Sequence, residues 1–154
     1  MTRIKVCGIT NVEDARAAVA AGVDAIGLVF ASSKRRVDYA MARDIVAAVP
    51  PLVNVIGVFM DQDLRVVVEI VGVLRLDAAQ LHGAESPEDC DALACKVIKR
   101  IDVPPDATAA ALNERIAAYE KATPLLDPGA GDGQTFDWTL ARSLHKPVMI
   151  AGLC

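Results

Sequence analysis

Short apolar runs alternate with alanine-rich amphipathic stretches along the whole chain, and this alternation is what most constrains the fold. A strand followed by a helix, repeated at roughly regular spacing, means βαβ units and a parallel sheet. The composition agrees. Hydrophobic residues make up 53% and aromatics only 4%, so the core must be built from Ala, Val, Ile and Leu. That mixture fits strands buried on both faces, the condition of a parallel sheet covered by helices. The charged fraction of 23% and mean hydropathy of +0.35 exclude a disordered chain, which needs low hydrophobicity and high net charge. At 154 residues the chain is expected to form one domain, residues 1–154, with a sizeable core.

Seven strands are predicted, over residues 4–8, 24–30, 53–60, 78–82, 96–100, 122–127 and 147–152. Between them lie helix signals. Thr10 or Asn11 can cap the first helix, with Glu13 and Asp14 in the first turn, and Gly22 ends it. Pro50-Pro51 stops a second helix that starts at Tyr39. Asp61 is the expected cap of the third, and Ser86 with Pro87 opens the fourth. The fifth covers residues 109–119, and Asp137 caps a short one ending at Ser143, with Trp138 as a core anchor. A doubly wound sheet often carries GxGxxG after its first strand. Here that strand ends in Cys7-Gly8-Ile9-Thr10, and Gly129-Ala130-Gly131 comes late without the spacing. Seven units favour a (β/α)8 TIM-barrel type, whose active site sits at the C-terminal ends of the strands.

The net charge of −4 and pI of about 5.1 carry no basic footprint for nucleic acid. Lys34-Arg35-Arg36 is the only dense basic cluster and is too short for a polyanion stripe. No apolar stretch reaches membrane-spanning length, and residues 1–8 contain no long apolar signal segment. Cys7, Cys90, Cys95 and Cys154 lack CxxC spacing, and His82 and His145 complete no zinc pattern. The expectation is a soluble, cytoplasmic protein with reduced thiols and no zinc site.

The barrel rule directs attention to residues just where strands end. Cys7 precedes a glycine and a helix start, surroundings that favour a thiolate able to act as base or nucleophile; a small buried thiol is the plainer reading. Asp127 ends an apolar strand before a glycine-rich loop, where a carboxyl with a raised pKa can act as an acid, or simply cap the loop. Arg36, in the second strand's loop, can hold a carboxylate in a bidentate grip or stay solvated. His82 can hydrogen-bond a ligand or sit satisfied on the rim. Gly129, Gly131 and Gly133 let backbone approach a ligand, or merely loosen the loop.

Five segments in order carry a resemblance. They are Lys5-Val6-Cys7-Gly8-Ile9-Thr10; Gly27-Leu28-Val29-Phe30 with Ser33 and Arg36; Gly57-Val58-Phe59; Gln80-Leu81-His82-Gly83; and Leu125-Leu126-Asp127 followed by Thr135-Phe136-Asp137-Trp138. Together they resemble the phosphoribosylanthranilate isomerases, TIM-barrel enzymes of tryptophan biosynthesis. The resemblance implies an Amadori rearrangement of N-(5-phosphoribosyl)anthranilate, with Cys7 as general base and Asp127 as general acid, and that no metal or organic cofactor is needed. It implies Arg36, or Arg35 beside it, on the anthranilate carboxylate, and His82 and Gly152 in substrate binding. It also implies a barrel without its eighth strand, since the family's Gly-Gly-Leu stands here as Ala151-Gly152-Leu153 just before Cys154. The expected consequences are a largely absent phosphate grip, open edges at the first and seventh strands, and either reduced unaided activity or self-association through those edges.

Overall fold

The computed structural model describes residues 2–129 and 135–152. Seven strands form one sheet, ordered as they occur along the chain, and every neighbouring pair is parallel. They are β1 (Lys5–Cys7), β2 (Ala25–Val29), β3 (Asn54–Phe59), β4 (Ala78–Leu81), β5 (Lys96–Asp102), β6 (Thr123–Asp127) and β7 (Met149–Ile150). The crossovers are α1 (Val12–Ala20), α2 (Tyr39–Ala48), α3 (Leu64–Leu74), α4 (Pro87–Ala92) and α5 (Ala109–Ala117), then a 3-10 helix, Trp138–Ser143.

The sheet is curled. Ala25, Ile56, Ala78, Ile98 and Leu125 form one buried cluster, with Met149 and Ala151 packed against it. These side chains come from six successive strands. Contacts between neighbouring strands link them into one layer, on the face of the sheet turned away from the helices, which is the inside of the curl. The outer face packs on the helices through a larger cluster that includes Ile26, Leu28, Phe59, Leu81, Ile45 and Val67. Successive side chains on a strand point to opposite faces, so β2 supplies Ala25 to one cluster and Ile26 to the other.

Most helix starts follow the sequence signals. Asn11 caps α1 by accepting from the Asp14 amide at 2.7 Å. Ser86 and Asp89 form a reciprocal capping box on α4, with Pro87 in its first turn. Asp137 caps the 3-10 helix. The cap of α3, expected at Asp61, is Asp63. Asp61 is instead in the left-handed region, with φ 52°, and its carboxylate accepts the Ala84 amide at 2.6 Å. It thus ties the loop after β3 to the loop after β4. Trp138, expected in the core, is 46% exposed. Phe136, Leu140 and Leu144, spaced every four residues, pack against the cluster of Ile101, Val103, Leu112, Ile116 and Leu126, while Trp138 faces away.

One charged pair is buried on the helix side of the sheet. Lys99 of β5 bonds Glu85 at 2.8 Å and the Gly83 carbonyl. The other oxygen of Glu85 accepts the Asp61 amide at 2.9 Å, and the Tyr119 hydroxyl donates to the Glu85 carbonyl at 3.1 Å. A buried ion pair is tolerable when its remaining valences are met like this. The brace fixes the loops after β3 and β4, which frame one side of the rim.

Candidate active site

The polar rim follows from strand periodicity. Two residues beyond the inner apolar cluster, and therefore on the same face, lie Gly27, Val58, Gln80, Arg100 and Asp127. Cys7 is the register partner of Gly27 and joins this layer from β1. His82 continues β4 by two more residues. The sheet therefore carries a thiol, an imidazole, a guanidinium and a carboxylate on the inner side of its C-terminal end.

Asp127 is the most enclosed of these groups, at 4% exposure. His82 Nε2 lies 3.1 Å from Asp127 Oδ2, and the Gly129 amide donates to Oδ1 at 3.1 Å. Arg100 Nε stands 3.5 Å from Oδ2. On the far side of the imidazole, the Gln80 side-chain amide is 3.2 Å from His82 Nδ1. With that amide as donor, Nδ1 accepts and the ring proton lies on Nε2, facing Asp127. Burial pushes the Asp127 carboxyl up, but the bonds from His82 and Gly129 and the nearby Arg100 charge outweigh it. They hold the group below the ordinary carboxylate value. The sequence-based expectation was a raised value. Two of the three partners that reverse it come from the residue after β4 and from β5, invisible beside Asp127 in the sequence.

Cys7 is exposed on the inner face of β1. Space for its thiol comes from Gly27 next door. A Cβ built on Gly27 would lie 2.8 Å from Cys7 Sγ and 3.2 Å from Lys5 Nζ, so both side chains lean over the same bare backbone. Gly8, which follows the thiol, has φ 82° and donates its amide to the Gly27 carbonyl at 2.9 Å. A β-carbon there would be strained in that conformation and would meet Arg35 Cδ at 2.6 Å.

That last contact bears on the choice between the two arginines. Arg35 lies across Gly8, its Nη1 3.2 Å from the same β-carbon position, and so at the Cys7 end of the rim. Arg36 makes an isolated backbone bridge to Val29; both arginines are exposed. Gly152 follows β7 with φ 112°, and the neighbouring Ala151 amide donates to the Leu126 carbonyl at 2.9 Å. Gly131 and Gly133 lie outside the described residues. Among the described residues, no group of three or more His, Cys, Asp or Glu is placed to hold a metal ion. Among them, too, no helix is long and apolar enough to cross a membrane. Sequence reasoning passed over Arg100 and gave no role to Gln80 and Gly27, which it used only as members of recognisable segments. The available signal was the period of two: Gly27, Gln80 and Arg100 each lie two residues after a member of the inner apolar layer.

Residues 4–153 match the family model described as N-(5'phosphoribosyl)anthranilate (PRA) isomerase. The chain belongs to the phosphoribosylanthranilate isomerase family. The N-(5'-phosphoribosyl)anthranilate isomerase of Acidithiobacillus ferrooxidans is 44% identical to it over 159 aligned positions, which cover 99% of this chain and 76% of that protein. The crystal structure of phosphoribosyl anthranilate isomerase from Thermotoga maritima superposes with a TM-score of 0.86 at 34% identity, covering 100% of this chain and 78% of that one. A family structure in complex with reduced 1-(o-carboxyphenylamino)-1-deoxyribulose 5-phosphate gives a TM-score of 0.82 at 35% identity, with 97% and 75% covered. The chain thus spans about three quarters of the length of these relatives. Seven parallel strands curled around an inner core are the family's TIM-barrel architecture.

Proposed function

We propose that this chain carries out its family's reaction, the isomerisation of N-(5'-phosphoribosyl)anthranilate in tryptophan biosynthesis, with Asp127 as general acid and Cys7 as general base. Family membership supports the reaction. One observation supports the two roles: Cys7 and Asp127 close β1 and β6 on the inner face of the same rim, so each reaches the space over the barrel mouth. Asp127 takes up a proton from solvent and gives it to the furanose ring oxygen, and the ring opens to an imine; the proton that Cys7 later holds returns to solvent, so the cycle closes. The Cys7 thiolate takes the proton from C2', leaving an enolamine that tautomerises to the 1-amino-1-deoxyribulose 5-phosphate. The substrate's protonated imine is the electron sink, so these steps balance without any further group. Each positioned proton transfer contributes about 10²–10⁴ in rate.

Of the two loop arginines, Arg35 is the better candidate for the anthranilate carboxylate, since it lies against Gly8 beside the thiol. A planar guanidinium can take a carboxylate through two parallel hydrogen bonds. His82 orients Asp127 through Nε2, and Gly152 offers its backbone at the end of β7.

The decisive test is turnover of freshly prepared phosphoribosylanthranilate, followed by loss of its fluorescence. Cys7→Ala and Asp127→Ala are each expected to lower kcat by about 10²–10⁴ with the fold retained. Arg35→Ala is expected to raise KM at least tenfold, and Arg36→Ala to leave it within about twofold, the difference between losing a bidentate carboxylate contact and losing none. Full activity in either the Cys7 or the Asp127 variant would remove that residue from its role.

A further inference from the structure

Arg100 lies on the inner face of β5, one strand from Asp127, with its side chain largely withdrawn from solvent at 17% exposure. Its Nη2 donates to Asp102 Oδ1 at 2.9 Å, while its Nε stands 3.5 Å from Asp127 Oδ2. Asp102 and Asp127 are register partners on β5 and β6. The guanidinium therefore spans two carboxylates set side by side on adjacent strands. Its Nε is buried and completes no hydrogen bond among the described residues. At 3.5 Å it attracts Asp127 by charge but lies beyond the ordinary N–H···O distance of roughly 2.7–3.2 Å.

We propose that Arg100 is a positioning residue for Asp127, holding its carboxyl group directed at His82 and Gly129, with Asp102 as the counter-carboxylate that anchors the guanidinium. The catalytic consequence rests on the reading of Asp127 as the acid. Among the described residues, the titratable and charged groups facing Asp127 are His82 from β4 and Arg100 from β5. Asp102 faces Arg100, and Arg115 of α5 donates to the Asp102 carbonyl at 2.8 Å, steadying that end. Arg100 thus sets how much of the protein carries the acidic proton at a given pH. Asp102 moderates it by sharing the guanidinium.

The geometry assigns opposite signs to two substitutions. Arg100→Met keeps much of the side-chain length and removes the charge, so Asp127 should protonate at higher pH. Asp102→Asn releases the guanidinium toward Asp127 and removes a like charge, so Asp127 should protonate at lower pH. Arg100→Lys keeps the charge and should stay closer to the parent than Arg100→Met. The measurement is an NMR titration of the Asp127 carboxyl carbon, assigned by its loss in Asp127→Asn, in all four proteins and without substrate. The pH dependence of kcat/KM is recorded beside it. Opposed shifts in Arg100→Met and Asp102→Asn are the expected result. An unmoved midpoint in Arg100→Met, or identical behaviour of the Met and Lys variants, overturns the proposal. If the midpoints move as expected while the limb of kcat/KM that requires the acid does not, Arg100 keeps its hold on Asp127 and it is the acid role of Asp127 that fails.

Discussion

Gly27 shows how a residue without a side chain can define a site. Cys7 Sγ and Lys5 Nζ both come within 3.2 Å of the point its β-carbon would occupy. Gly27→Ala puts a methyl group at 2.8 Å from the sulfur, closer than real β-carbons approach other atoms, so the thiol must turn away from its present position. Displacing a catalytic group by about 1 Å can cost on the order of 10²-fold in rate. We therefore expect Gly27→Ala to lower kcat by about that factor. Cys7 Sγ and Lys5 Nζ both end side chains that can turn aside, so urea unfolding should show little loss of stability. Near-parental kcat would mean the thiol's present position is not needed. At this scale the sequence was legible for Cys7, His82 and Asp127, because each is a polar group that ends an apolar run. It was illegible for Arg100 and Gln80, which sit within or next to strand segments and gain meaning only from what the neighbouring strands place beside them.

The elements themselves were largely readable. All seven strands and five crossover helices appear where apolar runs, caps and prolines put them, with ends differing by a few residues. The exception at Asp61 is informative. Asp61 and Asp63 are both plausible caps in sequence, and tertiary structure separates them. Asp63 accepts the Arg65 amide at 2.8 Å to start α3, while Asp61 reaches across to Ala84. A β-carbon on Gly83 would run into the Asp61 carboxylate, so that glycine leaves the room the bridge needs. Asp61→Ala removes the acceptor and leaves alanine in a left-handed conformation it disfavours; a loss of about 1–3 kcal/mol is expected in urea unfolding. Asp61→Asn keeps an acceptor on a residue that tolerates φ > 0 and should lose less. Equal losses in the two variants would show that neither a neutral acceptor nor the backbone preference supports the bridge.

At the scale of the whole molecule, Asp127 links the site to global stability. Its folded carboxyl is held below its ordinary value, with burial opposing and the His82 bond leading the groups that outweigh it. Protonation is thus harder in the folded state than in the unfolded chain. The corresponding stability is complete above the unfolded value of about 3.9 and is lost as pH falls through the folded one. Asp127→Asn cannot titrate, so the stability gap between it and the parent should narrow between pH 7 and pH 3. A gap that is constant with pH would show that the carboxylate is held no better in the folded state. The order of the strands has a different consequence. Every strand after β1 is hydrogen-bonded to the strand made just before it, and among the described residues no pairing skips ahead. Each closure spans a single helical crossover, which keeps its entropic cost modest. Because chains are synthesised from the N-terminus, each strand leaving the ribosome finds its earlier partner already made. Folding can keep pace with translation, one βα unit at a time.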